Sequence, residues 1–269
     1  MIHPTDPRRV LFVQPVVAHY RRPFFEKLAR ALPASEIRVV ASPTDVTGER
    51  SAERLPAGID ASRPTIRLFG DAVLWQSVVA DTLRLGRSDV LVVNGNPHYI
   101  STLLSLVLAR LRGVPTVWWG HGWTAGSVER RAAVRRWIMR LPDRLLLYTD
   151  AERDEYIARG FHPSCVHAAN NAVDQREVRE ARRAWNADDL ASFVRRENLP
   201  AYRYLVFVGR LTRKARLHLL LEALANLSSR GCSVPLVMIG EGSERAALET
   251  QAHAMGLDVR FVGALHGGK

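Results

Sequence analysis

Eight short apolar runs recur along the chain, at residues 10–13, 37–40, 90–93, 116–119, 145–148, 205–208, 236–239 and 259–262. Each is rich in β-branched or aromatic residues and is bounded by glycine, proline or charge, the pattern of a short strand. They are apolar at consecutive positions rather than alternate ones, so both faces of each strand must be covered. Segments of helical length and amphipathic character lie between them. Strands of this kind, joined by helices, fold as parallel sheets sandwiched between helical layers. The expected fold class is therefore α/β.

The helical segments have recognisable ends. Pro23 suits a helix start, with Phe24, Phe25 and Leu28 directed at the core. Residues 99–111 read as a largely buried helix ending at Gly113, and 127–139 as a basic helix. Residues 217–229 end at Gly231, a left-handed cap, and Ser243 is placed to cap a helix running to Gly256. Between 175 and 200 the rhythm breaks into a charged stretch of helical composition. The expected organisation is a Rossmann-like first domain over 1–174, a helical junction over 175–200, and a second, incomplete Rossmann-like domain over 201–269.

Composition removes several function classes. No apolar run is long and uncharged enough to cross a bilayer, and the first ten residues lack the regions of a secretion signal. Cys165 and Cys232 are far apart, which argues against a metal knuckle or disulfide framework and fits a reducing compartment. The net charge is +11, yet three of the 38 basic residues are lysine, a general arginine bias. There is no basic tail or nucleic-acid motif, so nucleic acid is not an expected partner. A cytoplasmic location is expected, with a peripheral contact at the inner face of the membrane left open by the charge.

The run LVFVGRLTRKARLHLLLEA, at 205–223, places four cations where a buried strand turns into a helix. In an open parallel sheet, ligands bind beyond the carboxyl ends of the strands, and helix N-termini there favour anions. Gly209 lets the backbone turn, and Arg210, Arg213, Lys214 and Arg216 line the mouth of the next helix, which points to a diphosphate.

This run, followed by PLVMIGEGSERAALETQAHAMGLDVRFVGAL, resembles the second domain of family 4 glycosyltransferases. NNAVD at 170–174 resembles the N-G-V-D signature closing their first domain, and TVWWGHGW at 116–123 is similar to the segment carrying their active-site histidine. The resemblance implies a GT-B fold and a retaining transferase that uses a nucleotide-diphosphate sugar as donor. It also implies a cleft between two domains, no metal or other cofactor, and a glycan or lipid-linked acceptor. His121 would contact the donor sugar, and Gly209, Arg210, Lys214, Arg216, Gly240 and Gly242 would hold the donor. His19, Tyr20, Arg21, Asn94 and His98 follow strands of the first domain and are candidates for the acceptor side.

The chain departs from the family pattern at four places. Ala215 stands where the family's lysine is expected, with Lys214 and Arg216 flanking it as substitutes. Ala172 replaces the glycine of N-G-V-D, and QPVVAHYRRP replaces a glycine-rich first loop. The sequence ends at GALHGGK, before the family's pair of glutamates separated by seven residues, from which impaired transfer is expected. Glu241 and Glu249 have that spacing but fall in another unit, a coincidence. A non-catalytic nucleotide-binding or interaction module, and a transferase completed by a partner chain, remain as alternatives. A dinucleotide oxidoreductase is disfavoured, because Arg245 occupies the third glycine position of G-x-G-x-x-G.

Overall fold

The computed structural model describes residues 8–46, 48, 50–52, 55–69, 72–122, 129–170, 172–200 and 202–265. Trp123, Ser127, Asn171 and residues 266–269 lie outside these, as do the first seven residues. The chain divides into two compact units, Met1–Asp174 and Gln175–Lys269.

Unit 1 runs β1 (Arg8–Val13), α1 (Arg22–Ala31), β2 (Ser35–Val40), β3 (Ile59–Asp60), β4 (Thr65–Arg67), β5 (Leu74–Gln76), α2 (Val79–Leu83) and β6 (Val90–Asn94). It continues with α3 (Ile100–Leu111), β7 (Thr116–Trp119), α4 (Glu129–Ile138), β8 (Arg144–Leu147), α5 (Asp150–Ala158) and β9 (Val166–Ala168). Seven strands form one sheet in the order β3-β2-β1-β6-β7-β8-β9. Every pairing in it is parallel. The hairpin β4–β5 stands apart and is antiparallel.

Consecutive apolar residues feed opposite faces of this sheet. Leu11, Val13, Val93, Trp118 and Leu147 pack with Leu106 and Ala109 of α3, Met139 just past α4 and Tyr156 of α5. Phe12, Val39, Val92 and Trp119 pack on the other face with Phe25 of α1. Fully burying each such side chain contributes about 1.5–3 kcal/mol, so neither face could be left open.

Two helix expectations need correction. Phe24 is 39% exposed rather than buried, because Phe25 and Leu28 take the inward stripe of α1; its ring instead leans on Trp119 with centroids 5.0 Å apart. Ser243 does not cap the helix that follows it. That helix begins at Arg245 after Glu244, with no side-chain cap; the Glu244 amide donates to the Leu211 carbonyl at 3.0 Å, so backbone does the capping.

Unit 2 carries α6 (Arg176–Ala184), α7 (Ala187–Arg196), β10 (Leu205–Val208), α8 (Leu217–Ser229), β11 (Leu236–Ile239), α9 (Arg245–Ala254) and β12 (Val259–Gly263). A capping box between Asn186 and Asp189 starts α7. The strands form a parallel three-stranded sheet in the order β10-β11-β12. Its core gathers Leu211, Leu217, Leu221, Leu224, Leu236, Met238, Leu248 and Ala252.

Candidate functional site

The carboxyl ends of β1, β6, β7 and β8 open onto one cleft of unit 1, about 690 Å³ in volume. Gln14 follows β1, Asn94 ends β6, Trp119 ends β7 with Gly120 next to it, and Tyr148 follows β8; all five line the cleft. Of the residues singled out in the sequence, Tyr20, Arg21, Asn94, His98 and His121 also line it, whereas His19 does not. His19 sits exposed in a short 3-10 turn, its ring edge-on to Tyr20 at 5.8 Å.

His121 is held from behind. Its side chain is 61% exposed, while that of Glu152 is only 2% exposed, and the His121 Nδ1 lies 3.2 Å from Glu152 Oε1. The same oxygen accepts from the Gly122 amide at 2.9 Å. Oε2 accepts from the Tyr148 amide at 3.1 Å and from the Thr149 hydroxyl at 3.3 Å. With a carboxylate facing Nδ1, that nitrogen carries the proton and Nε2 is left to a ligand in the cleft. Tyr148 packs edge-on against the His121 ring, centroids 4.4 Å apart.

The turn itself needs glycine. A side-chain carbon at Gly120 would come within 2.7 Å of Gly95 Cα, because the β6 and β7 loops touch backbone to backbone. Arg135 of α4 stitches these loops together, donating at 2.8 Å to the carbonyls of both Gly95 and His121. Burial lowers its pKa, and Tyr156 and Glu152 counteract this only in part. Tyr156 donates its hydroxyl to the Gly122 carbonyl, and burial pushes that hydroxyl up to about 12. Arg21 donates to the Tyr148 hydroxyl at 2.7 Å and lies over the Trp119 ring at 4.6 Å.

Among the described residues, three buried donors in the cleft wall have no hydrogen-bond partner: Gln14 Nε2, Asn94 Nδ2 and Trp119 Nε1. Buried polar groups are rarely left so. They sit in the wall of the cleft rather than on its open surface, and the groups that face the open space are the exposed His121, Tyr20 and His98.

In unit 2, the turn after β10 presents Gly209 and an exposed Arg210, followed by a 3-10 turn at Arg213–Ala215 with Lys214 exposed. Arg216 adopts a left-handed conformation, φ 50°, directly before α8, whose N-terminus has no side-chain cap. Gly240 and Gly242 back this turn. Gly240 has φ 141°, and a side chain on it would strike the Gly209 carbonyl; one on Gly242 would strike that of Leu211. Glu241 and Glu249 both pair with Arg245, so their seven-residue spacing serves one arginine.

Sequence reasoning missed Gln14, Trp119, Arg135 and, above all, Glu152. The signal for Glu152 was present: Thr149 to Glu152 reads T-D-A-E, a helix-start pattern, and the Glu152 amide does donate to Thr149 Oγ1 at 3.1 Å. Nothing in that pattern says that the carboxylate turns back toward residue 121.

Comparison with known proteins places these features in context. A model described as Glycosyltransferase Family 4 matches residues 24–177, and one described as Glycosyl transferases group 1 matches residues 192–268. No curated protein matches the chain. Anabaena HepE, solved with UDP and glucose, is 16% identical with a TM-score of 0.59, over 95% of this chain and 69% of that one. The lipopolysaccharide outer core galactosyltransferase WaaB is 14% identical, TM-score 0.57, over 96% and 68%. The UDP-GlcNAc 2-epimerase of Neisseria meningitidis, bound to UDP-GlcNAc, is 11% identical, TM-score 0.59, over 97% and 73%.

Proposed function

The chain belongs to glycosyltransferase family 4, and on that premise we propose that it moves a sugar from a nucleotide-diphosphate sugar to a hydroxyl of a glycan or lipid-linked acceptor, with retention at the anomeric carbon. Its two-unit α/β architecture is of the GT-B type. The observation that carries the reading is the cleft of unit 1, where His121, oriented by buried Glu152, stands at the carboxyl ends of four parallel strands.

In this reading the donor's diphosphate rests on the turn after β10. Gly209 brings backbone close, Arg210 and either Lys214 or Arg216 supply positive charge, and the uncapped amides of α8 add a partial positive charge. Gly240 and Gly242 keep the neighbouring loop low enough for that turn to form. These groups stabilise the diphosphate as it leaves, without calling on a metal or other cofactor; losing one such preorganised donor costs about 3–4 kcal/mol in the transition state. Nε2 of His121 hydrogen-bonds a sugar hydroxyl near the reacting carbon. Tyr20, Arg21 and His98, with Asn94 in the wall beneath them, form the acceptor side. His19 has no place in this cleft.

Calorimetric titration with UDP, GDP and ADP sugars tests the donor half. One of them is expected to bind, with Arg210→Ala weakening binding about 10- to 100-fold and His121→Ala leaving nucleotide binding unchanged. Failure of all three to bind rules out the donor assignment. Once an acceptor is in hand, proton NMR of the product linkage reads the stereochemistry, and an inverted anomer refutes retention.

A further inference from the structure

Arg135 of α4 touches both loops whose residues stand on opposite sides of the proposed reaction. One nitrogen, Nη2, donates at 2.8 Å to the Gly95 carbonyl after β6 and at 2.8 Å to the His121 carbonyl after β7. The last ladder pair between these strands is Asn94 with Trp119, so both carbonyls lie past the sheet. Main-chain acceptors in that position need a donor from elsewhere, and a charged donor makes the stronger bond. The end of α4 is already anchored in the core by Ile138 and Met139. Arg135 instead lines the cleft, half-buried.

Each carbonyl stands next to a functional side chain. On the β6 side a run of short turns leads from Gly95 to the rim. Asn94 Oδ1 accepts from the Asn96 amide at 3.1 Å, and Asn96 Oδ1 from the His98 amide at 3.1 Å. The His98 Nδ1 lies 3.0 Å from the Ala72 carbonyl. Side-chain turns of this kind fix the backbone over a few residues, so a rotated Gly95 peptide displaces His98. On the β7 side the bonded carbonyl belongs to His121 itself, whose ring is held at Nδ1 by Glu152. Holding one residue at ring and backbone together sets the direction of Nε2. The loops are also in contact: a side-chain carbon at Gly95 would come within 2.7 Å of Gly120 Cα. A shift of one loop therefore presses on the other.

We propose that Arg135 is a positioning residue that couples the acceptor-side loop after β6 to His121, so that transfer depends on it and donor binding does not. The role in transfer rests on the transferase reading, whereas the coupling of the two loops is measured without any substrate.

Amide hydrogen exchange of the full chain, resolved by NMR, tests the coupling. The reporting amides are hydrogen-bonded on both loops: Asn96 and His98 on one, Gly122 on the other. Arg135→Met is expected to speed exchange at all three at least about tenfold. The Leu91 amide in β6, which donates to the Pro115 carbonyl at 2.9 Å, is expected to stay within about twofold. Arg136→Met removes the next arginine of α4, which pairs with exposed Glu129, and is expected to leave all four amides unchanged. Should Arg135→Met unfold by circular dichroism, Arg135→Gln, too short to span both carbonyls, repeats the comparison. Once donor and acceptor are in hand, Arg135→Met is expected to lower kcat about 10- to 100-fold with the donor KM within about twofold. Unchanged exchange, faster exchange on one loop alone, or equal acceleration at Leu91 overturns the proposal. So does a loss confined to the donor KM. A wild-type chain that binds no nucleotide sugar overturns the transferase reading instead, and leaves the exchange result to decide the coupling.

Discussion

After β7 the chain turns at Gly120 to Gly122, and after β10 it turns at Gly209 and Arg210. Both turns lie at the carboxyl end of a parallel strand, and both are marked by glycine, yet they are held by different means. In unit 1 the loop contact between Gly95 and Gly120 is reinforced by buried side chains: Glu152 gathers four donors, Arg135 bridges two carbonyls, and Tyr156 closes on the Gly122 carbonyl. In unit 2 the turn is shaped by backbone against backbone, with the Gly209 amide donating to the Ile239 carbonyl at 3.0 Å and the Leu211 amide to that of Glu241 at 2.9 Å. The cations there stay exposed. The turn after β7 is fixed by a surrounding side-chain network, whereas the turn after β10 is fixed by its backbone shape.

The strands show the same contrast. β6 is flanked by β1 and β7 and covered on both faces, so Val93 is 0% exposed; among the described residues β10 pairs with β11 alone, and Val208 is 71% exposed. Similar residues in similar strands differ in burial because burial depends on neighbours in space.

The sharpest way to break the comparison is Gly240→Ala. Its side chain meets the Gly209 carbonyl and its φ disfavours alanine, so unit 2 is expected to lose about 3 kcal/mol or more, while unit 1 keeps its stability. Hydrogen exchange resolved by unit reads the outcome; equal protection of β10 and β11 in both proteins would show that the backbone contact does not hold the turn. Next in size is the alkaline limb of unit 1. Burial raises the Tyr156 hydroxyl from 10.0 to about 12, so the folded chain holds this proton more tightly than the unfolded one. The contribution is complete below pH 10 and is lost as pH rises toward about 12, at up to about 1.4 kcal/mol per pH unit. Urea unfolding across that range is expected to show the slope in wild type and its loss in Tyr156→Phe. The smallest effect comes from a matched pair. Val93→Thr buries a hydroxyl and is expected to cost about 1–3 kcal/mol, whereas Val208→Thr stays within about 0.5 kcal/mol. Equal costs by urea unfolding would erase the contrast between the two strands.

The β-branched runs and the glycines at their ends are local in sequence, so β1, β2, β6, β7, β8, β10, β11 and β12 were legible without coordinates. The two-residue β3 and the three-residue β9 were not, because such short edge strands are made by pairing with β2 and β8 rather than by their own pattern. Ser243 had the right residue type for a cap and lost the role to a backbone carbonyl that only folding brings near. Tyr20, Arg21, Asn94 and His98 could be picked out because they lie at or after strand ends, which parallel strands deliver to one side, and His121 because its motif and flanking glycines marked it.

By itself, then, the sequence determined the parallel α/β architecture, and its motifs carried the family resemblance. The architecture follows from apolar run length and glycine placement, which act over a few residues. The tertiary structure alone decided that Glu152 stands behind His121, thirty-one residues away, that Gln14, Asn94 and Trp119 keep donors without partners, and that Leu111 and Trp137 stay in solvent. Each of these depends on which distant segments are packed together, and that is settled by the summed burial of the core.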